Sequence, residues 1–251
     1  MILRKPVFAA NWKMNHGPTD AKAFLRTFLV HHARRPDRTV MFFPPALTLH
    51  AVTDALRDRP DVLVGVQNIH WEPKGAFTGE LSAPIARDAG ARLVLVGHSE
   101  RRHVFGETDE QTGLKCGAVA GAGLTPMLCV GEKLDERERG EAEAVVIRQL
   151  RAGFAKLQPA QIGNALVAYE PVWAIGTGKT ATANDASAMH AVVRGVLREL
   201  AADRAAQIPI LYGGSVSRGN AAELIAAPGV DGVLVGGASL DADGWATIVR
   251  A

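Results

Sequence analysis

A glutamate that directly precedes a proline is the residue with the clearest chemical potential in this sequence. Glu170 follows the apolar run 165–169, which is short enough for a buried strand, and Pro171 discourages extension of that strand because it has no N–H to donate. Trp173 and Ile175 follow in a segment that ends in glycine and threonine, residues that can absorb the backbone change of a hinge. We interpret the stretch as a carboxylate base with a lid attached; the alternative is an ordinary strand-to-helix connection with a surface glutamate.

Such a base must be positioned by regular elements, and the chain alternates short apolar runs with amphipathic segments from end to end. The runs lack strict alternation of polar and apolar residues, as expected for parallel strands that are buried on both faces. We predict eight strands, at residues 7–10, 39–43, 62–66, 93–96, 126–130, 166–169, 208–212 and 232–235. Helices are predicted at residues 21–33, at 142–154, at 184–200, and from a capping box at Thr108–Gln111 to a stop near 121–123.

Alternating strands and helices leave two architectures, an open doubly wound sheet and a closed barrel. The dinucleotide-binding fingerprint GxGxxG is absent after every predicted strand, since Gly121-Ala122-Gly123 is followed by Leu124-Thr125-Pro126. The sequence therefore favours the barrel. We predict an α/β fold in which residues 1–251 form a single-domain, eight-stranded parallel (β/α)8 barrel, and a chain of this length is typical of that fold.

In such a barrel, functional residues lie in the loops after the carboxyl ends of the strands. Lys13, His98 and Glu170 each follow a predicted strand, so we expect them to converge on one mouth. The glycine pairs 213–214 and 236–237 follow the seventh and eighth strands, where barrels of this kind usually bind phosphate through backbone N–H groups. A tight turn is the alternative for either pair taken alone.

Composition and other motifs exclude several classes of function. The formal net charge of +2 does not resemble a nucleic-acid-binding surface. We find no apolar run long enough to span a membrane and no signal-peptide core at the N-terminus. Gly178-Lys179-Thr180 matches the end of a Walker-type phosphate loop, but the glycine required at position 173 is a tryptophan. Cys116 and Cys129 form no CxxC pair, so we predict no metal site, and buried free thiols favour a cytoplasmic location.

At these residues the sequence closely resembles the triosephosphate isomerase family, over essentially the whole chain. The order and length of the shared motifs make the resemblance specific. They lie at residues 11–15 (Asn-Trp-Lys-Met-Asn), 75–80 (Gly-Ala-Phe-Thr-Gly-Glu), 97–102 (Gly-His-Ser-Glu-Arg-Arg), 168–180, 212–215 (Tyr-Gly-Gly-Ser) and 232–240.

The resemblance implies interconversion of dihydroxyacetone phosphate and glyceraldehyde 3-phosphate through an enediolate, without a cofactor. By this resemblance Glu170 is the base, a neutral His98 is the electrophile, and Lys13 supplies a fixed positive charge, with Asn11 as a further polar contact. The substrate phosphate would be held by backbone N–H groups of Gly176, Ser215, Gly236 and Gly237.

A lid and a homodimer follow from the same resemblance. The lid would comprise Pro171, Val172, Trp173, Ala174, Ile175, Gly176, Thr177, Gly178, Lys179 and Thr180. In the dimer, Thr78 would reach the partner's site near Asn11, on a loop whose Trp71 and Phe77 suit burial against another chain. A self-packed loop is the alternative. Close to the site, we expect Ser99 to support Glu170 and assign Glu100, Arg102 and Glu107 to structural ion pairs.

Two other functions compete with the isomerase. One is a non-catalytic barrel that binds a phosphorylated metabolite, although the joint presence of Lys13, His98 and Glu170 argues against it. The other is an aldose–ketose isomerase that acts on a longer phosphorylated sugar, and the short apolar lid argues against a large substrate.

Overall fold

Eight parallel strands close into a barrel in the computed structural model, with neighbours in sequence order from β1 to β8 and β8 paired to β1. The structure describes residues 3–175 and 181–251. The strands are β1 (Val7–Asn11), β2 (Thr39–Phe43), β3 (Val62–Val66), β4 (Leu93–Val96), β5 (Thr125–Val130), β6 (Leu166–Tyr169), β7 (Ile210–Tyr212) and β8 (Gly232–Val235).

Helices surround the barrel and return the chain from each strand to the start of the next. Within the described ranges they are α1 (Pro18–His31), α2 (Leu49–Ala55), α3 (Ala83–Asp88), α4 (Ser99–His103), α5 (Asp109–Gly121), α6 (Leu134–Glu138), α7 (Ala142–Phe154), α8 (Pro159–Ile162), α9 (Ala183–Ala201), α10 (Ala221–Ala226) and α11 (Ala242–Val249). Short 3₁₀ turns lie at Ala46–Thr48, Val172–Ala174, Ala202–Gln207 and Gly237–Ser239.

Strand side chains alternate between the barrel interior and the layer beneath the helices. Val7 and Ala9 belong to the inner cluster, whereas Phe8 and Ala10 pack in the outer one. Because both faces of every strand are covered, the strands read as continuous apolar runs in the sequence. The inner cluster consists of Val7, Ala9, Met41, Phe43, Leu93, Leu95, Met127, Cys129, Leu166, Ala168, Leu211 and Leu234.

The predicted barrel and its eight strands are confirmed, and the differences lie at strand ends. β1 extends one residue further, to Asn11, and β5 begins one residue earlier, at Thr125. β7 begins only at Ile210, two residues later than predicted. The N–H of Ile208 bonds to the preceding turn instead of to a neighbouring strand, and Pro209 has no N–H to donate.

Helix boundaries follow the local capping signals. The predicted capping box is confirmed: the N–H of Gln111 donates to Thr108 Oγ1 and the side chain of Gln111 accepts the N–H of Thr108. This helix ends at Gly121, as predicted. α1 begins three residues before the predicted start because Pro18, which lacks a donor, suits its first position after Gly17. None of the helices in the described ranges has the length and apolarity needed to cross a membrane.

Candidate active site

A cavity of about 240 Å³ opens at the carboxyl ends of the strands. It brings together every predicted catalytic and substrate-binding residue that lies in the described ranges. Residues from β1 and β8, and from the loops after β1, β4, β6, β7 and β8, line it: Asn11, Lys13, His98, Glu170, Ile175, Gly213, Gly214, Ser215, Val216, Leu234, Gly236 and Gly237.

Two glycines on the neighbouring strands fix the position of Glu170. A Cβ atom at Gly131, just after β5, would lie 1.7 Å from the carbonyl oxygen of Glu170. A Cβ atom at Gly213, just after β7, would lie 2.9 Å from its Cγ. The N–H of Glu170 donates to Val130 at 2.7 Å, and the N–H of Gly213 donates to Tyr169 at 2.7 Å. The close approach of three strand ends therefore places this carboxylate at the rim of the barrel, with only 2 % of the residue exposed.

The carboxylate of Glu170 contacts His98 directly. His98 Nε2 lies 3.0 Å from Glu170 Oε1, and the N–H of Ser99 donates to Oε2 at 2.8 Å. The other ring nitrogen of His98, Nδ1, accepts the N–H of Glu100 at 3.3 Å. Since Nδ1 is an acceptor, the proton of the neutral ring lies on Nε2 and is directed at the carboxylate.

Burial and mutual attraction shift the pKa values of Glu170 and His98 in opposite directions. Burial disfavours the protonated form of His98, but the facing Glu170 carboxylate outweighs burial and raises the pKa of the imidazole above its ordinary 6.5. Burial likewise disfavours ionised Glu170, yet His98 and the Ser99 N–H hold the pKa of that carboxyl below its ordinary 4.5. The family resemblance implies a neutral His98, but in this arrangement the pKa of His98 is raised because the ring faces the Glu170 carboxylate.

Lys13 is held in an unusual backbone conformation beside the carboxylate. Its φ of 51° lies in the left-handed region, which costs a non-glycine residue about 1 kcal/mol or more. Asn11 Oδ1 accepts the N–H of Lys13 at 3.0 Å, and Gln67 Nε2 donates to its carbonyl at 2.8 Å. The ammonium group pairs with Glu100 at 2.6 Å, and a Cβ atom at Gly236 would lie 3.1 Å from Lys13 Cε. Local hydrogen bonds thus fix the backbone of Lys13, and its side chain passes beside the glycine loop after β8 to reach Glu100.

The loops after β7 and β8 form the adjoining wall of the cavity. Ser215 Oγ donates to the carbonyl of Ala174 at 2.6 Å. Gly237 begins a 3₁₀ turn, and a Cβ atom added there would meet no atom within 4 Å, so this backbone lies open to the cavity. The buried Ser239 steadies the turn by donating to the carbonyl of Gly236 at 2.7 Å. Such exposed glycine backbone suits close approach by an anion.

Comparison with known proteins agrees with this geometry. The family model described as triosephosphate isomerase matches residues 6–251. The chain belongs to the triosephosphate isomerase family. It is 48 % identical over 249 residues to the triosephosphate isomerase of Roseiflexus sp. (strain RS-1), covering 99 % of this chain and 98 % of that protein. It is 47 % identical over 250 residues to the triosephosphate isomerases of Symbiobacterium thermophilum and Pseudomonas putida, again over 99 % of this chain, and over 97 % and 99 % of those proteins.

One buried acid of this family member was missed by sequence reasoning. Glu132 lies just after β5 and is fully buried; its Oε1 accepts the O–H of Tyr169 at 3.1 Å and Nε1–H of Trp173 at 2.8 Å. Its backbone carbonyl accepts the N–H of Val172 at 3.0 Å. The signal was available, because Glu132 follows the carboxyl end of β5 as Glu170 follows that of β6. Glu132 therefore holds the chain on both sides of the proposed base.

The described part of the predicted lid is its first half. Pro171 to Ile175 form a connection that contains the 3₁₀ turn Val172–Ala174. The other predicted lid residues lie outside the described residues: Gly176, Thr177, Gly178, Lys179 and Thr180. Gly176, expected to bind the substrate phosphate, is among them.

Several other predicted residues lie near the cavity without lining it. Ser99 supports Glu170, but through its backbone N–H. Arg102 pairs with Asp109 at 2.6 Å, and Glu107 pairs with Lys115, so both belong to structural ion pairs. The third member of that predicted group, Glu100, also forms an ion pair, but its partner is Lys13, and its backbone N–H donates to His98. Thr78 is exposed in the loop after β3 and does not line the cavity.

Metal ligands are not clustered in the described part of the chain. Within residues 3–175 and 181–251, no group of three or more His, Cys, Asp or Glu side chains is arranged to hold a metal ion.

Proposed function

We propose that the protein interconverts dihydroxyacetone phosphate and D-glyceraldehyde 3-phosphate, the isomerisation step of glycolysis and gluconeogenesis. The single observation that supports this most strongly is the direct contact of Glu170 and His98 in one cavity with Lys13 and two glycine-rich loops. Moving a carbonyl between adjacent carbons requires a base and a group that stabilises the developing oxyanion. Membership of the triosephosphate isomerase family supports the same reaction.

Glu170 is the proposed base. In the described arrangement both of its oxygens accept hydrogen bonds, one from His98 and one from Ser99. The carboxylate must therefore turn away from these donors toward the carbon that loses the proton. Leaving them removes two of the interactions that hold its pKa low, while burial remains, so the carboxylate becomes a stronger base as it reaches the substrate.

His98 is the proposed electrophile. When Glu170 turns away, the carboxylate that raises the pKa of His98 is gone, and burial favours the neutral ring. The N–H of Glu100 at Nδ1 fixes the tautomer that carries its proton on Nε2. The Nε2–H group of His98 is then free to donate to the substrate oxygens as the enediolate forms. This hydrogen bond stabilises negative charge where it develops.

The remaining residues bind the charged substrate. Lys13 supplies a fixed positive charge, and Asn11 both positions Lys13 and offers a further polar contact. The phosphate is bound by backbone N–H groups of Gly176, Ser215, Gly236 and Gly237, without a cofactor. This assignment is supported by the glycine backbone that lines the cavity beside Lys13.

A lid is needed because the enediolate can expel its phosphate group. We propose that residues 171–180 close over the bound intermediate and exclude water. The contacts of Ala174 with Ser215 and of Trp173 with Glu132 support this role, because they join the described part of this segment to two strand ends.

The active form is proposed to be a cytoplasmic homodimer. The loop before α3 projects as exposed residues 72–80, in which Phe77 is 43 % exposed and stacks on His70. Met14, beside Lys13, is 94 % exposed. Apolar side chains at such positions are typical of surfaces that another chain covers, and Thr78 at the loop tip would reach the partner's site near Asn11. Two buried free thiols, Cys116 and Cys129, suit a reducing compartment.

A coupled assay tests the proposed reaction directly. The protein is incubated with dihydroxyacetone phosphate, and the glyceraldehyde 3-phosphate formed is consumed by its dehydrogenase. We expect rapid turnover of the triose phosphate in this assay. Ketose phosphates with five or six carbons, followed instead by nuclear magnetic resonance, should not be isomerised. Turnover of the longer sugars with no reaction of the triose would contradict the proposal.

A further inference from the structure

The guanidinium group of Arg137 on α6 bridges three separate segments of the chain. Its Nη1 lies 3.3 Å from Glu132 Oε1, after β5, and its Nη2 lies 2.5 Å from Asp185 Oδ1, in the first turn of α9. Its central carbon lies 4.7 Å from the centroid of the Trp173 ring, after β6. Arg137 itself does not line the active-site cavity.

Glu132 depends on this arginine for a counter-charge. Glu132 is fully buried, and a buried carboxylate is destabilising unless a cation and hydrogen bonds compensate for lost water. Glu132 accepts hydrogen bonds from Tyr169 and Trp173, which lie on either side of Glu170 in the sequence. The pairing of Arg137 with Glu132 therefore stabilises the acceptor to which both flanks of the proposed base are bound.

Asp185 ties the same arginine to the far side of the loop. Its Oδ2 accepts the N–H of Thr182 at 3.0 Å and the hydroxyl of Thr182 at 2.7 Å, which caps the start of α9. The segment around Trp173 precedes the residues proposed as the lid, and Thr182 follows them. One guanidinium group thus joins the two described flanks of that connection.

We propose that Arg137 is a positioning residue for the isomerisation: it fixes both flanks of the β6–α9 connection, and through Glu132 it sets the position of the Glu170 carboxylate. This inference rests on the proposed function for its kinetic consequences. Arginine is required because its planar fork can donate to two carboxylates while its face stacks on an indole. A lysine at this position could pair with one carboxylate at a time.

The test compares Arg137→Lys and Arg137→Ala with Arg139→Ala. Arg139 is the matched control, since it is an exposed arginine two residues away whose pairs with Asp135 and Glu141 lie outside the site. For Arg137→Lys, which keeps the positive charge, we expect a folded protein with kcat lowered about ten- to a hundredfold, because a small displacement of a reacting group has a large kinetic cost. We also expect more inorganic phosphate released per isomerisation, because the intermediate is held less well. Arg139→Ala should match the unaltered protein.

Amide hydrogen exchange measured by mass spectrometry gives a readout that does not depend on activity. We expect peptides covering residues 169–175 and 181–187 to exchange faster in both Arg137 variants and at the original rate in Arg139→Ala. Unchanged exchange in these two peptides would overturn the inference, whether or not the unaltered protein is an active isomerase. Absence of isomerase activity in the unaltered protein would instead contradict the proposed function. Lowered thermal stability with unchanged kcat, KM and phosphate release would also overturn it, since the role would then be structural only.

Discussion

At the residue scale, the chemistry depends on how Glu170 is shared among its neighbours. His98 and Ser99 each occupy one carboxylate oxygen, and Gly131 and Gly213 leave the backbone little freedom to move. The side chain must therefore make the excursion to the substrate by rotation. Its length then sets the distance over which the proton is transferred.

Replacement of Glu170 by aspartate should lower kcat about a hundredfold, since the carboxylate retracts by roughly one carbon–carbon bond and proton transfer is sensitive to distance. The coupled assay measures this, and thermal unfolding checks the fold. Glu223→Asp is the matched control, because Glu223 is exposed on α10. Near-normal turnover in Glu170→Asp would defeat the assignment of Glu170 as the base.

The Glu170–His98 pair should also make stability depend on pH. Because the pKa of His98 is raised in the folded state, its protonation stabilises the fold fully below the unfolded-state pKa of 6.5. This stabilisation is lost as the pH rises through the folded-state pKa. Because the pKa of Glu170 is lowered in the folded state, its ionisation stabilises the fold fully above the unfolded-state pKa of 4.5. This stabilisation is lost as the pH falls through the folded-state pKa. Both contributions are fully present between these two unfolded-state values.

Urea unfolding at a series of pH values tests this in the unaltered protein and in Glu170→Gln. We expect the difference in free energy of unfolding between the two to shrink as the pH rises above the ordinary histidine pKa of 6.5, as His98 loses its proton in the folded state. A difference that stays constant in that range would show that His98 is neutral beside the carboxylate and that Glu170 does not raise its pKa.

At the scale of elements, close approach between strand ends positions the base. In Gly131→Ala the added methyl group would lie within bonding range of the Glu170 carbonyl, so β5 and β6 must separate. We expect a loss of about 3 kcal/mol or more in the free energy of unfolding, together with reduced kcat, because overpacking shifts the backbone. Urea unfolding and the coupled assay, at one protein concentration, measure both effects.

Gly195→Ala on α9 is the matched substitution, for which we expect the opposite change in the free energy of unfolding. A Cβ atom at Gly195 would meet no atom within 4 Å outside its own helix backbone. We therefore expect a gain of about 1 kcal/mol, because alanine favours the helix, with unchanged kcat. If the two substitutions had the same effect, the tight packing inferred at Gly131 would be incorrect.

The sequence was sufficient for the barrel and for the residues that meet at its mouth, because apolar runs mark buried strands and their carboxyl ends share one face. The sequence was less informative where contacts between distant residues determine strand bounds and pKa values. The shortened β7 depends on a turn formed by Ile208, and the opposed pKa shifts depend on a contact between residues 98 and 170. The proposed role of Arg137 was not predicted because it arises from side chains that meet only in the folded barrel, whereas Glu132 could have been found from its place after β5.

At the scale of the whole molecule, the proposed dimer accounts for apolar side chains that the single chain leaves exposed. Phe77→Asp should shift sedimentation toward the monomer and lower activity, because a charge would have to be buried against the partner chain. Val30→Asp is the control, since Val30 is 80 % exposed on α1, away from the loop. A fully active monomer of the unaltered protein at low concentration would contradict the dimer.

The exchange of carbon-bound protons in deuterated water tests the central claim most directly. The protein is incubated with dihydroxyacetone phosphate, and both triose phosphates are examined by nuclear magnetic resonance. We predict deuterium on the carbon next to the carbonyl in each, at a rate that falls sharply in Glu170→Gln. Binding of the substrate, detected by calorimetry, with no incorporation of deuterium would show that the cavity holds a triose phosphate without isomerising it.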